Sequence, residues 1–364
     1  MHDHDPSRRR LLLGSAGLAA IGLVAPAGAA SDKPVEPPEL LTCWSDRADR
    51  PRAHFAGLSA HPQRAISLPA RGHDVQWHPR ERDLAYVAAR RPGQFLVAFR
   101  PARGQVVARV EADEATRYEG HITLDPEGRR LFATETDLTT DQSQVGVYDT
   151  RTLEKVATWP SHGVGAHALL WLRDGRLAVA NGGILIVPET GRVKRNLGSM
   201  DPSLVLLDPA ADGRLLGQYR LPDPGMSIRH IAEAPDGTLG IAMQNEGADL
   251  RPLLSLFDGQ TLRYAEADDA MLKRGGTYAG DIAVQGNVFV VSCTSAGSAA
   301  VWNSRGEVIG DSSTPRVCAL TPMHDGWQLT ADNGRRWLLD TTAQLREARP
   351  GNVAWDNHAR LLRT

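Results

Sequence analysis

Four histidines recur at one position of a repeating pattern, and their imidazoles are the side chains of this sequence best suited to chemistry. Each begins a short apolar run, which a turn and a second strand-like run follow. They are His73, His121, His167 and His230. Their spacings of 48, 46 and 63 residues match the length of a propeller blade, with one blade carrying an insertion. Because equivalent residues of a circular repeat surround a common channel, we expect these imidazoles to line one mouth of it.

Neutral imidazole is a common protein ligand for transition metals, so the repeated histidines predict a site for iron, copper or zinc. Glu135 follows the second strand of its repeat and would add a carboxylate to that site. A structural interpretation stays open beside this one. In many repeat propellers a Gly-His pair before the first strand hydrogen-bonds within its own blade, and Gly72-His73 and Gly120-His121 fit that pattern.

Other polar residues are expected on the same face as the histidines. We predict that an anionic or polar ligand is bound there by His162, Asn181, Arg229 and Gln244. An insertion over residues 183–203 is long for a propeller loop, and we expect it to fold across the mouth as a lid. Its basic residues would attract an anion if they are not simply solvated: Arg192, Lys194 and Arg195.

No motif identifies a catalytic residue. One enzymatic alternative is a lactonase-like, metal-dependent hydrolase, which would hold a hard cation such as calcium on carboxylates and amides. The set that fits this alternative is Glu135, Asn181, Asn245, Asp281 and Asn333. An oxidoreductase is the other enzymatic alternative. Ligand softness separates these possibilities, because histidines favour iron, copper or zinc over calcium.

The elements that must position these residues are short strands. Runs of four to six apolar or β-branched residues alternate with Asp-Gly, Pro-Glu-Gly and Asp-Pro turns, and no helical periodicity of useful length occurs. Six repeats of four strands have first strands near His73, His121, His167, His230, Asp281 and Cys318. Strand-like pieces at both ends supply a seventh blade: Leu40–Trp44, Ala53–Ser59, Ala65–Leu68, Val353–Trp355 and His358–Leu362. We therefore predict an all-β fold, a seven-bladed β-propeller with four-stranded blades, closed by strands from both termini.

The first 29 residues are predicted to be an export signal. Arg8 and Arg9 precede an apolar stretch that is too short to span a bilayer comfortably, and Ala27-Gly-Ala29 supplies small residues for cleavage. The paired arginines favour the twin-arginine route, with an ordinary secretory signal as the alternative. Residues 30–39 form a linker and residues 40–364 a single propeller domain, so we expect a periplasmic protein with no membrane span after cleavage.

Composition excludes several classes of function. The net charge of −2 gives no reason to expect a nucleic-acid partner, and we expect a monomer. The three cysteines lie far apart and form no Cys-x-x-Cys metal or haem motif. We expect each cysteine to be a small buried hydrophobe.

Several ordered motifs resemble a secreted propeller family known as domain of unknown function 1513. They include Thr134-Glu-Thr-Asp137, Ser161-His-Gly-Val-Gly-Ala-His167, Val179-Ala-Asn-Gly-Gly183 and Ser227-Ile-Arg-His230. The resemblance implies a periplasmic propeller, often encoded near imelysin-type and di-haem proteins in apparent iron-acquisition loci. It implies no activity and no catalytic residues. The family usually has Asn where Thr136 stands here, and the match is looser beyond about Tyr278.

Together these features predict a periplasmic, non-enzymatic binding or accessory propeller that handles a metal ion or metal complex in iron acquisition. Its partners would be periplasmic iron-uptake proteins of the imelysin-like or di-haem kind. The two enzymatic alternatives remain open, and a scaffold that only binds other proteins is the third alternative.

Overall fold

The computed structural model describes residues 35–46, 53–187 and 193–362. The predicted export signal and the first half of the predicted linker lie outside this range. The linker's last residues are described, and Val35 forms a parallel bridge with Ala348 near the other end of the chain.

Seven four-stranded antiparallel sheets form the blades of a β-propeller, as predicted. Three N-terminal strands belong to the last blade: β1 (Leu40–Ser45), β2 (His54–Leu58) and β3 (Ile66–Leu68). Blade 1 contains β4 (Gly72–Trp77), β5 (Ala85–Ala89), β6 (Phe95–Arg100) and β7 (Gln105–Glu111). Blade 2 contains β8 (Thr116–Leu124), β9 (Arg130–Asp137), β10 (Gln142–Asp149) and β11 (Lys155–Pro160).

Blade 3 carries the insertion, so its four strands are interrupted by a small hairpin. The blade contains β12 (Ala166–Trp171), β13 (Leu177–Asn181), β16 (Ser203–Asp208) and β17 (Arg214–Tyr219). The hairpin pairs β14 (Ile186–Val187) with β15 (Val193–Lys194). Blade 4 contains β18 (Met226–Glu233), β19 (Leu239–Asn245), β20 (Leu254–Phe257) and β21 (Leu262–Tyr264).

The last three blades complete the ring. Blade 5 contains β22 (Asp281–Gln285), β23 (Val288–Cys293), β24 (Ser298–Asn303) and β25 (Val308–Ser313). Blade 6 contains β26 (Val317–Met323), β27 (Gly326–Ala331), β28 (Arg336–Asp340) and β29 (Leu345–Ala348). In blade 7 the C-terminal strand β30 (Ala354–Leu361) pairs with β1, which confirms the predicted closure. The two strand-like pieces predicted at this end are one strand, interrupted by a register shift.

The core lies between adjacent blades, where the apolar faces of neighbouring sheets meet. One cluster joins blades 7 and 1, and another, around the fully buried Trp327, joins blades 5 and 6. The three cysteines are buried and unbonded to one another, as expected of small hydrophobes. The first strand of each blade is innermost, and these strands contact one another around a central channel.

One α-helix, α1 (Asp269–Gly275), was not predicted from the sequence. It is capped by Asp268, whose carboxylate accepts a 2.7 Å hydrogen bond from the Met271 N–H. Its seven residues are too few for a helical period to stand out. Short 3-10 turns occur at Pro62–Arg64, Leu197–Ser199 and Pro209–Ala211. In the part of the chain that the structure describes, no helix has the length and apolar character needed to cross a membrane.

We call the face that carries the loops into the first strands the upper face, and the opposite one the lower face. The loops that join second and third strands also lie on the upper face, because the blades are antiparallel. The insertion between β13 and β16 is one of these loops.

Candidate metal centre

Five histidines lie in or beside β-bulges of innermost strands. Strand pairing shifts at His73 in β4, at His121 in β8, at His167 in β12 and at His358 in β30. In β18 the extra residue is Arg229, directly before His230. A bulge re-aims the side chains around it, which explains how one residue type from five blades is turned into the channel.

The five imidazoles pack against one another in one compact group. His121 contacts the other four, with ring centroids 4.7–5.0 Å apart. His73, His167, His230 and His358 also make contacts of 4.7–5.0 Å among themselves. All five side chains are buried. We call this set the histidine cluster. It lies inside the channel and not at its mouth, which corrects the position expected from the sequence.

Four members of the cluster are placed to share one ion. His73, His121, His230 and His358 each offer a ring nitrogen, and these four nitrogens all lie within 4.8 Å of one another. His167 is not in this group, but its Nε2 is 3.2 Å from the Nε2 of His230. The repeat therefore identified three of the four convergent histidines before the structure was known.

Buried carboxylates hold two of the imidazoles by their Nδ1 atoms, and a third carboxylate lies near another imidazole. Asp356 Oδ1 is 3.1 Å from His73 Nδ1, and Asp281 Oδ1 is 3.1 Å from His358 Nδ1. Asp74 Oδ2 is 3.9 Å from His121 Nδ1. In the first two pairs Nδ1 donates to the carboxylate, which leaves Nε2 without a proton and free to bind a ligand.

Several nitrogens of the cluster have no hydrogen-bond partner although they are buried. They are Nε2 of His121 and of His358, and Nδ1 of His167 and of His230. A buried polar atom without a partner is costly, so such a group indicates either strain or a missing ligand. Three of these four atoms belong to histidines of the convergent group, which favours a ligand bound among them.

The electrostatics keep most of the cluster neutral at physiological pH. Burial lowers the pKa of His73 to about 3, although the hydrogen bond to Asp356 works in the other direction. Burial, followed by the charges of neighbouring basic groups, also lowers the pKa of His121, His167 and His230. Neutral imidazole is the form that binds metals.

His358 differs from the other four histidines. Burial acts to lower its pKa, but the negative charge and hydrogen bond of Asp281 outweigh burial, so the pKa of His358 is raised. Asp356 is held in its charged form: burial acts to raise its pKa, while the His73 hydrogen bond and the charge of Arg71 hold that pKa well below its usual range.

The structure does not bring Glu135 to the cluster. Its carboxylate lies inside blade 2, where it accepts hydrogen bonds from the Tyr148 hydroxyl and from Gln144 Nε2 and pairs with Lys155 at 2.9 Å. Glu135 is fully buried and has its partners within its own blade. It is therefore a structural carboxylate and not one of the convergent groups.

The predicted ligand-binding residues separate into two places. Arg229 and Gln244 are together, since the Arg229 guanidinium donates a 2.9 Å hydrogen bond to Gln244 Oε1. Burial, followed by the charge of Arg91, lowers the pKa of Arg229 to about 9. Asn181 instead donates to the Ser161 carbonyl at 3.0 Å, and His162 is an exposed loop residue whose carbonyl accepts from Gln218.

The set expected of a calcium-dependent hydrolase does not assemble either. Asp281 belongs to the cluster, but Asn245 donates to the Asp249 carbonyl and Asn333 accepts the Arg335 N–H in an exposed turn. Asn181 and Glu135 have the separate partners given above. These five groups are dispersed over the blades.

The described residues of the insertion over 183–203 contact blades 2 and 4 on the upper face. Lys194 pairs with Glu246 of blade 4 at 2.5 Å, and Arg195 pairs with Asp141 of blade 2 at 2.7 Å. Two of its basic residues are thus engaged in ion pairs, and Arg192 lies outside the described residues. Beneath it, a small upper-face cavity of about 40 Å³ is lined by Arg91, Glu119 and Ile184, among others.

A much larger cavity reaches the cluster from the lower face. This channel cavity has a volume of about 440 Å³ and is lined at its inner end by His121, His230 and His358. Toward the lower face its wall includes Leu170 and Pro322. The cluster is therefore closed in by protein on its sides and adjoins open space below.

His358 is the residue of the cluster that the sequence did not reveal. It lies five residues after Val353, in a segment that reads as two short strands separated by Asp356-Asn357. The signal that would have found it is its place in the innermost strand of blade 7, which is equivalent to the position of the other four histidines.

Several solved structures have a similar fold. A chain of the "Crystal Structure of Mitotic Checkpoint Complex" has a TM-score of 0.59 and 14% identity, over 95% of this chain and 92% of that one. The WD40 repeats of RRP9 have a TM-score of 0.59 and 11% identity, over 80% of this chain and 84% of that one. Streptogramin B lyase has a TM-score of 0.54 and 12% identity, over 79% of this chain and 86% of that one. These identities establish the fold alone.

Comparison by sequence gives the family. No curated protein matches the chain significantly. Residues 66–362 match a family described as "Protein of unknown function (DUF1513)", which spans all but the first strands of the propeller and agrees with the resemblance seen in the motifs. The chain is therefore a member of the DUF1513 family, with a histidine cluster at the centre of its propeller.

Proposed function

We propose that this protein binds one transition-metal ion in its channel, with His73, His121, His230 and His358 as ligands. The observation that carries the proposal is the convergence of four ring nitrogens within 4.8 Å. Metal–nitrogen bonds of about 2.1 Å place tetrahedral nitrogens roughly 3.4 Å apart, so only small side-chain movements are needed. Four imidazoles without a carboxylate ligand favour iron, copper or zinc over calcium or magnesium.

The surroundings of the four imidazoles support a metal site over a set of turn tethers. Carboxylates on Nδ1 orient ligating histidines in metal proteins and raise their basicity. Here the carboxylates come from different blades than the imidazoles they hold: Asp356 of blade 7 holds His73, and Asp281 of blade 5 holds His358. A histidine that fixed the turn of its own blade would need a partner in that blade. The carboxylates bonded to His73 and His358 lie in other blades.

We further propose that the protein handles iron in the periplasm, in contact with imelysin-like or di-haem partners. This part rests on the family resemblance and on the basic, apolar leader of the sequence. A binding or accessory role and a redox role both agree with a site of neutral imidazoles. A metal site that exchanges ligands needs an open path to the metal, and a purely structural site does not. The opening on the lower face would provide such a path.

The test is elemental analysis of the protein purified from its native compartment, and again after anaerobic reconstitution with iron(II), copper(II) or zinc(II). We expect about one equivalent of metal, because four ligands with one centre hold one ion. His121→Ala combined with His358→Ala is expected to lose that metal. His324→Ala is the matched control, because His324 is an exposed turn residue remote from the cluster.

Two results would contradict the proposal. One is a wild-type protein that retains no stoichiometric metal after reconstitution with any of the three ions. The other is a double variant that remains folded, by circular dichroism, and still retains the full equivalent.

A further inference from the structure

The channel cavity is large enough for a small organic molecule and adjoins the proposed metal ligands directly. Its volume of about 440 Å³ falls within the range of small-molecule sites. Three of the four convergent histidines line it: His121, His230 and His358. An ion held by the four imidazoles could expand its coordination to a fifth ligand, and that ligand would enter from the side of this cavity.

The fixed charges around the cluster favour an anion in that cavity. Three carboxylates, of Asp74, Asp281 and Asp356, adjoin the imidazoles. Two of them are already neutralised, since Arg360 donates to Asp74 at 3.1 Å and Arg71 donates to Asp356. Asp281 alone is left to balance a divalent ion, because imidazole ligands bring no charge. One positive charge remains, and an uncompensated charge is costly in a buried site.

Arg229 places a further positive charge beside His167 and His230, although its side chain does not line the channel cavity. It directly precedes His230 and is 2% exposed, and its Nε has no hydrogen-bond partner. Its guanidinium forms a hydrogen bond with the neutral Gln244, and no ion pair to it is found among the described residues. The charge inventory therefore favours a ligand with at least one negative charge.

The wall of the cavity defines the rest of the ligand. Apolar side chains line part of the space between the histidines and the lower face, including Leu170, Ile282 and Leu320. Two ion pairs, Asp74–Arg360 and Glu233–Arg173, also line the cavity and carry no net charge. The upper-face cavity, at about 40 Å³, has room for only a few water-sized groups. A molecule with an apolar body thus fits below the cluster and not above it.

We infer that the channel cavity binds a small organic carboxylate, with its apolar body against the channel wall and a carboxylate oxygen on the metal. This inference rests on the proposed metal site, and it assigns that site a ligand class and a direction of access. The carboxylate supplies the negative charge that the buried ion lacks, and the apolar wall selects molecules with a hydrophobic body over hydrophilic anions.

The test uses cobalt(II)-loaded protein, whose visible absorption reports changes in the ligands of the metal. Benzoate is the probe, and benzyl alcohol is the neutral molecule of matched shape. We expect benzoate to change the spectrum in a saturable way and benzyl alcohol to leave it unchanged. Leu170→Trp narrows the channel and is expected to weaken benzoate binding about tenfold or more, with cobalt content unaltered. Ile184→Trp, at the upper-face cavity, is the matched control and should bind benzoate normally.

The outcomes separate this inference from the metal site. A protein that takes up neither cobalt nor any of iron, copper and zinc would overturn both. Normal uptake with no spectral response to benzoate overturns the carboxylate ligand alone. If benzyl alcohol changed the spectrum as much as benzoate does, the site would not require a negative charge, and the assignment of a carboxylate ligand would be overturned. Loss of benzoate binding in Ile184→Trp but not in Leu170→Trp shows access from the upper face and overturns the channel assignment.

Discussion

At the scale of single residues, the buried carboxylates have two tasks at once. Asp281 accepts the backbone N–H of Ile282 at 2.9 Å and that of Leu320, in the next blade, at 2.9 Å. Its Oδ1 also holds the His358 imidazole. Asp74 similarly accepts the N–H of Ile122 from the neighbouring blade at 3.2 Å. The same side chains that join adjacent inner strands thus orient the imidazoles between them.

Asp281→Asn is expected to weaken metal binding without abolishing it. The amide keeps the size of the carboxylate and one acceptor oxygen, but it removes the negative charge that makes His358 a basic ligand. Loss of such a partner typically costs 10–100-fold in metal affinity. Competition titration against a chromophoric chelator measures the change.

The matched control is Asp236→Asn, an exposed turn residue that accepts the Thr238 N–H in the same kind of local contact. The Asp236→Asn variant should bind the metal with the same affinity as the wild-type protein. Equal affinities in all three proteins would show that Asp281 does not act on the metal site.

The sequence revealed residue types and repeat positions, but not the direction of each side chain. Three of the four convergent histidines follow from the repeat. Glu135 was assigned to their face because it follows a strand-like run, yet β9 continues to Asp137. Within a strand, successive side chains point to opposite faces, so an error of a few residues in a strand end moves a side chain into the blade.

At the scale of elements, the β-bulges decide what enters the channel. The bulge of β8 contains Gly120, at φ +106°, and a Cβ added there would be 2.8 Å from His73 Cδ2. The backbone of one blade thus touches the imidazole of the next. A side chain at this position would have to displace the ring.

Gly120→Ala is expected to lower both stability and metal affinity. The positive φ costs an alanine about 1–2 kcal/mol, and the new methyl group pushes His73 away from its position. Gly237→Ala is the matched control, because Gly237 has φ +88° and a Cβ there would have nothing within 4 Å. Urea unfolding and chelator competition measure the two effects.

We expect both variants to lose stability and only Gly120→Ala to lose metal affinity. If Gly237→Ala weakened the metal site equally, the effect would come from general destabilisation and not from contact with His73.

Strands and turns of this chain were predictable because their signals are local. Asp-Gly and Pro-Glu-Gly turns separate the apolar runs, and all seven blades follow from them. Bulges were not predictable, since they depend on how two distant segments pair. The register shift at Asp356-Asn357-His358 made one strand look like two and hid the fifth histidine.

At the scale of the whole molecule, five buried histidines and three buried carboxylates lie together at the channel. The depth of the cluster was not foreseen, because the inner strands begin before their histidines. β8 starts at Thr116 and β18 at Met226, so His121 and His230 lie inside strands and not at their first residue. The seven-bladed ring and its closure were foreseen, since the repeat and the terminal strand pieces both point to them.

The metal-free protein is expected to lose stability steeply as the pH falls below about 6.5. The folded-state pKa values of His73, His121, His167 and His230 are lowered, that of His73 to about 3. Below pH 6.5 the unfolded chain binds protons that the folded chain does not. The free energy of unfolding therefore falls by up to about 1.4 kcal/mol per pH unit for each such histidine.

His358 changes the pH dependence of stability in the opposite direction, because its pKa is raised in the folded protein. Its stabilisation is fully present below the unfolded pKa and is lost as the pH rises through the folded value. Urea unfolding between about pH 7.5 and about pH 5.5 measures the sum of these effects. His167→Gln removes one titrating group and should make the slope shallower, while His324→Ala should not. A stability that does not change over this range would contradict the buried, neutral state of the cluster.

The order in which the chain is synthesised has a consequence for the ring closure. Three of the four convergent histidines, His73, His121 and His230, belong to early and middle blades, but the fourth arrives with β30, the last strand. Its anchor on Asp281, and the Asp356 that anchors His73, are likewise in place only when β30 has docked against β1. A chain that is still being synthesised therefore lacks the fourth histidine of the convergent group. Under the proposed function, all four histidines could bind a metal ion only after the ring has closed, so the circular topology would delay metal loading until folding is complete.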